Sequence, residues 1–64
     1  MKDSPLDRLR HVYERHSIWE LHNIQRGYIE DYRYARLTGD HNRAEVILAT
    51  INDFGKLIEE RETK

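Results

Sequence analysis

The chain has 64 residues, no cysteine and a formal net charge of −1 at pH 7, from 11 basic and 12 acidic residues. This length fits one small domain, and the lack of cysteine excludes disulfides and cysteine-based zinc sites. The charge balance predicts no strong general attraction to nucleic acid or to anionic membranes.

The N-terminal segment before Pro5 has no apolar signal region, and the longest apolar run, at Val46, is four residues. A membrane-spanning helix needs about 20 apolar residues, so we expect no contact with a membrane. Absence of cysteine also fits a reducing compartment. The sequence therefore predicts a cytoplasmic protein.

A long helix is predicted over residues 5–37, with Ser4 as its N-cap and Pro5 at its first position. Its apolar residues form two stripes at helical spacing, rotated by about a third of a turn from each other. A break at Ser17, which forms a capping-box pattern with Glu20, is the alternative, but no Gly or Pro stands there to stop the helix. The two stripes comprise Leu6, Leu9, Val12, Tyr13, His16 and Trp19, and then Leu21, Ile24, Tyr28, Tyr32 and Ala35.

The strongest break in the sequence lies at residues 38–42. Gly39 favours a helix end, because glycine adopts positive φ without a steric clash. Asp40 and Asn42 are both good N-caps for a second helix, predicted over residues 43–61. A link this short favours two antiparallel helices, a helical hairpin over a single domain of residues 1–64.

The second helix carries an apolar stripe wider than a two-helix contact needs. We therefore expect two hairpins to dimerise into a four-helix bundle with a shared core. The charged residues 59–64 are predicted to fray. The stripe comprises Ala44, Ile47, Leu48, Ile51, Phe54 and Ile58, flanked by Val46 and Leu57.

Catalytic and metal-binding patterns are missing from the sequence. Histidines on a helix bind a metal together at spacings of three or four, whereas here they stand five and six apart before the loop. Ser4 and Ser17 both have the pattern of helix caps, and no glycine-rich phosphate loop occurs. We expect no enzyme activity, no cofactor and no metal.

Aromatic residues and arginine are enriched at protein interfaces, and this chain interleaves them along its first helix. Trp19 is the largest apolar side chain, and it serves equally well as an anchor for another protein or as part of a dimer core. We predict a small non-enzymatic interaction module that regulates or inhibits a larger protein. The candidate interface residues are Tyr13, Arg15, Ile18, Trp19, Tyr28, Tyr32, Ile51 and Phe54.

The alternative function is a small nucleic-acid-binding regulator. Arginine beside aromatic rings can bind phosphates and stack on bases. Residues 1–43 contain seven of the arginines, but their 8 basic residues are offset by 7 acidic ones. The sequence therefore favours a protein partner over a nucleic acid.

Overall fold

The computed structural model describes residues 4–63, which form three helices and no strand. These are α1 (Pro5–Val12), α2 (Ile18–Leu37) and α3 (His41–Glu62). The predicted all-helical class is confirmed. The three residues before Ser4, from which we predicted the lack of a secretory signal, lie outside the described residues.

The prediction of one continuous helix over residues 5–37 is wrong, because the chain leaves the helix at Tyr13 and restarts at Ile18. The extended residue Ser17 caps α2: its Oγ accepts from the N–H of Glu20 at 3.1 Å, and the Glu20 carboxylate accepts from the Ser17 N–H at 2.8 Å. This capping box starts a new helix at Ile18, so the break between α1 and α2 needs no glycine or proline. The break also explains part of the rotation between the stripes, since α1 and α2 pack on the core separately, although Val12 and Trp19 of the first stripe are exposed.

The second break, between α2 and α3, lies within residues 38–42, as the sequence predicts. Gly39 has φ of +79°, and the N–H of Asp40 donates to the carbonyl of Ala35 at 2.9 Å, which closes the end of α2. The Asp40 carboxylate accepts from the N–H of Arg43 at 3.2 Å. Because Asp40 rather than Asn42 is the N-cap, α3 begins at His41, slightly before the predicted start.

The core lies along α3, with α1 and α2 packed against it. The start of α2 meets the end of α3, and the end of α2 meets the start of α3, so the two helices run in opposite directions. One core cluster joins Leu21, Phe54, Leu57 and Ile58 and receives Leu6, Leu9 and Tyr13 from the N-terminal side. The other joins Ala35, Ala44 and Ile47 and receives Tyr28, Tyr32 and Ile51.

Phe54 is fully covered within one chain, with 0% of its surface exposed. Its ring centroid lies 5.2 Å from that of Tyr13 and 5.5 Å from that of Tyr28. We expected a second copy to cover this residue, but α1 covers it after the break at Ser17. The core around Phe54 lies within one chain, so it gives no reason to expect a dimer.

Charged residues near the C-terminus hold α1 in place. Arg61 donates from Nη1 to the carbonyl of His16 at 2.7 Å and from Nη2 to the carbonyl of Tyr13 at 2.6 Å. Arg10 donates from Nε and Nη2 to the two carboxylate oxygens of Glu60 at 2.9 and 2.5 Å. α3 continues to Glu62, within the residues 59–64 that we predicted to fray, and Lys64 lies outside the described residues.

Candidate functional site

One broad surface of the α2–α3 pair is left uncovered, and we call it the open face. Two stripes at alternating spacings of three and four residues form it, so each stripe follows one side of its helix. On α2 the stripe is Ile18, His22, Gln25, Ile29, Tyr32 and Arg36; on α3 it is Glu45, Leu48, Asn52, Gly55, Glu59 and Glu62.

Direct contacts between the two stripes show that they share this surface. The Gln25 side chain donates from Nε2 to the carbonyl of Ile51 at 3.1 Å, and the same atom lies 3.7 Å from where a Cβ on Gly55 would stand. Nε2 of His22 lies 3.8 Å from a carboxylate oxygen of Glu62. These contacts fix the position of α2 along α3.

A groove of about 490 Å³ lies at one end of the open face. Trp19 stands at its border with 76% of its surface exposed, so its indole takes no part in the core of its own chain. Ile18 and Ile29 are half-buried and give the groove an apolar floor. The full lining is Ile18, Trp19, His22, Gln25, Arg26 and Ile29.

A smaller depression of about 250 Å³ lies at the other end of the open face, beside the α2–α3 link. There the guanidinium of Arg36 stacks 5.9 Å from the ring centroid of Tyr32 and donates to its hydroxyl at 3.2 Å. Leu48 is 40% exposed and, with Ala44, adds apolar surface. His41 and Glu45 complete the lining.

Charges of opposite sign follow the two sides of the open face. By helical position, Arg26, Arg33 and Arg36 lie along the α2 side, and Glu45, Glu59 and Glu62 lie along the α3 side. Glu30, 4.0 Å from Arg33, and Lys56 are the exceptions. The surface therefore carries a basic strip beside an acidic strip.

The remaining helix, α1, packs on the opposite side of α3. It contacts Leu57 and Glu60, whose helical positions point away from those of Gly55 and Glu59. The same arrangement that covers Phe54 thus leaves the open face exposed.

The structure separates the eight predicted interface residues. Ile18, Trp19 and Tyr32 line the groove or the depression of the open face. Tyr13, Tyr28 and Phe54 pack together in the core, Ile51 is half-buried against the second cluster, and Arg15 is exposed in the turn between α1 and α2.

Sequence reasoning missed Ile29, His22, Gln25 and Leu48 as members of this surface. A signal for it exists, because residues 18, 22, 25 and 29 follow the four–three–four spacing of a helix-packing stripe. Because His22 and Gln25 at the centre of this stripe are polar, the stripe is less conspicuous in the sequence than the more apolar one that contains Leu21. A mixed polar and apolar stripe of this kind is typical of an accessible surface rather than of a core.

Titratable groups with shifted pKa values lie away from the groove. Hydrogen bonds to Ser4 lower the pKa of Asp7, hydrogen bonds to Ser17 lower the pKa of Glu20, and the Glu60 carboxylate raises the pKa of Arg10. Each of these groups caps a helix or joins α1 to α3. Within residues 4–63 no three potential metal ligands come together.

No protein-family model, curated protein or solved structure matches this chain. Among the helices of residues 4–63, none combines the length and apolar character that crossing a membrane requires.

Proposed function

We propose that this chain is a non-enzymatic protein-interaction module whose docking surface is the open face. The observation that carries the proposal is Trp19, a large aromatic side chain that is 76% exposed beside an apolar groove in a chain that covers its own Phe54. Tryptophan beside arginine is the composition of energetically dominant interface residues. Trp19 and Arg26 border the same groove.

The shape of the groove supports a protein segment as its occupant. The groove is open along α2 and is lined from one helix over about three turns, a length that suits an extended or helical segment rather than an enclosed small molecule. We propose that α2 and α3 act together as a helical hairpin that presents this surface. In this role the chain acts on a partner protein by covering part of its surface; where that partner is a larger protein in the cytoplasm, the chain regulates or inhibits it.

A photo-crosslinker at position 19 tests this proposal directly. Trp19→benzoylphenylalanine keeps an aromatic side chain at an exposed position, so the fold is expected to persist. The matched control is Val46→benzoylphenylalanine, which is 68% exposed on the side of α3 away from the open face. After irradiation in an extract of the native source, we expect position 19 to form at least several times more protein adducts than position 46.

Equal adduct yields at the two positions would refute the open face as the docking surface. Adducts that contain nucleic acid alone would instead favour the second candidate function, a nucleic-acid-binding regulator. The observation behind that candidate is the row of Arg26, Arg33 and Arg36 near Trp19. It ranks second because Glu45 and Glu59, on the neighbouring strip, would repel phosphates.

A further inference from the structure

We propose that the occupant of the open face is a second copy of this chain, related by a two-fold axis parallel to α2 and α3, so that each α2 lies over the α3 of the other copy. This inference rests on the proposed function, because it names the partner of the same surface. It yields a four-helix bundle, but its contact is the open face rather than the core around Phe54.

The surface area of the chain supports a partner of this size. The accessible surface is 5278 Å², about 900 Å² more than the roughly 4,400 Å² expected of a compact monomer of the same mass. The radius of gyration is 12.6 Å, against about 10.7 Å for a compact domain of this length. A standard interface buries roughly 800 Å² of each partner, which is similar to the excess.

The distribution of charge selects the direction of the two-fold axis. An axis across the helices would place α2 on the α2 of the second copy and bring Arg33 and Arg36 against like charges. An axis parallel to the helices instead places α2 of each copy over α3 of the other, so that Arg33 of one copy can face an acidic residue, Glu45, of the other. The open face is therefore complementary to itself in only one of these two arrangements.

The internal contacts of one chain then give the register between copies. A parallel axis leaves the height of every residue along the bundle unchanged. Packing of Ala35 with Ala44 and the hydrogen bond from Gln25 to Ile51 define which positions of α2 and α3 share a height. At these heights Arg33 of one copy faces Glu45 of the other.

The apolar residues of the open face agree with this register. The same spacing places Ile29 of one copy near the height of Leu48 of the other, where the two partly exposed side chains can cover each other. At this register Trp19, at the border of the groove, lies near the height of Glu59 of the second copy, about one helical turn from Lys56.

Charge reversal at one contact tests both the dimer and its register. Arg33→Glu places two carboxylates together at each of the two symmetric contacts, and Glu45→Arg places two guanidinium groups there. We expect each variant alone to dimerise on the order of tenfold more weakly than the original chain. Sedimentation equilibrium measures the association, and circular dichroism of each variant confirms that the helices persist.

Mixing the two variants gives the decisive result. A heterodimer of Arg33→Glu with Glu45→Arg has opposite charges at both contacts, so we expect native mass spectrometry to show more heterodimer than the statistical share. No contact within a single chain changes on mixing, so recovery can come only from contacts between chains. The control is Arg8→Glu, an exposed reversal on α1, which should not weaken the dimer and, mixed with Glu45→Arg, should not favour the heterodimer.

Two outcomes would overturn the inference. The first is a chain that remains monomeric at 100 μM and above. The second is a chain that dimerises equally well with either charge reversal, because its dimer then uses another surface. If position 19 nevertheless crosslinks to a different polypeptide, the proposed function stands and only the identity of the partner is wrong. If position 19 forms no preferential protein adduct of either kind, the proposed function fails as well.

Discussion

Arg61 joins two parts of the chain that are 45 or more positions apart in sequence. Its guanidinium donates to the carbonyl of Tyr13, which also accepts from the N–H of His16, and to the carbonyl of His16 in the turn that follows α1. A planar group with several donors in a fixed geometry suits this double contact better than an ammonium group does. Arg61 therefore determines where the turn between α1 and α2 sits on α3.

We predict that Arg61→Met lowers the free energy of unfolding by about 1.5–3 kcal/mol, because it removes two charge-assisted hydrogen bonds and takes the Arg61 donor away from the carbonyl of His16. Arg61→Lys should also lower the free energy of unfolding, but by less than Arg61→Met, since one ammonium group cannot reproduce both hydrogen bonds of the guanidinium. Urea unfolding followed by circular dichroism measures both. The control is Arg43→Met on the exposed surface, expected within about 0.5 kcal/mol of the original chain. Equal effects at the two positions would contradict this role of Arg61.

Contacts of this kind explain why residue roles were only partly predictable. The cap Ser4 and the positive φ of Gly39 follow from local chemistry, and the sequence predicts both, whereas it leaves Asp40 and Asn42 as alternative caps of α3. The role of Arg61 depends on a partner far away in the chain, and no local pattern shows it. Trp19 was predicted to be either an anchor for another protein or part of a dimer core, and its exposure in one chain fits both roles.

At the scale of helices, local capping determines where α1 ends and α2 begins. The capping boxes Ser4–Asp7 and Ser17–Glu20 each use a carboxylate in the first turn of a helix. The sequence contains both patterns, but we gave more weight to the absence of glycine and proline near Ser17. The break at Ser17, which the sequence offers as the alternative, is therefore the correct interpretation.

These two carboxylates predict a loss of stability in acid. Their pKa values are lowered in the folded chain, so folding favours their ionised forms. Their contribution is complete above the unfolded-state pKa of about 4 and is lost as the pH falls through the lower folded-state pKa. We expect the urea midpoint to fall between pH 5 and pH 3.

Amide variants separate this effect from general acid unfolding. Asp7→Asn combined with Glu20→Gln should make the urea midpoint less dependent on pH over this interval. Glu30→Gln removes an exposed carboxylate that caps no helix, so the original dependence should remain. A double variant with unchanged pH dependence would show that the two caps contribute little.

At the scale of the whole molecule, α1 is a cover for the core around Phe54. Leu6 and Leu9 of α1 pack against that core, whereas Val12 on the same helix is 65% exposed. The sequence could predict the amphipathic stripes but not that α1 folds back, because this depends on the break at Ser17. From the sequence we therefore expected a second copy of the chain to cover Phe54.

We predict that Leu9→Ser loosens α1 and lowers the free energy of unfolding by about 1–2 kcal/mol, because it withdraws apolar surface from the core. Val12→Ser makes a similar change in polarity at an exposed position of the same helix and should have little effect. Hydrogen exchange should show faster exchange of α1 amides in the first variant than in the second. The same exchange rates in both would mean that α1 does not depend on Leu9 for its docking.

Because α1 and α2 both pack on α3, the first two helices have no scaffold until the third has been synthesised. While α3 is still inside the ribosomal exit tunnel, Leu21, Tyr13 and Tyr28 have nothing to cover them. These aromatic and aliphatic groups therefore remain uncovered by their own chain until α3 is available. Folding then follows the arrival of α3, the helix that emerges last of the three.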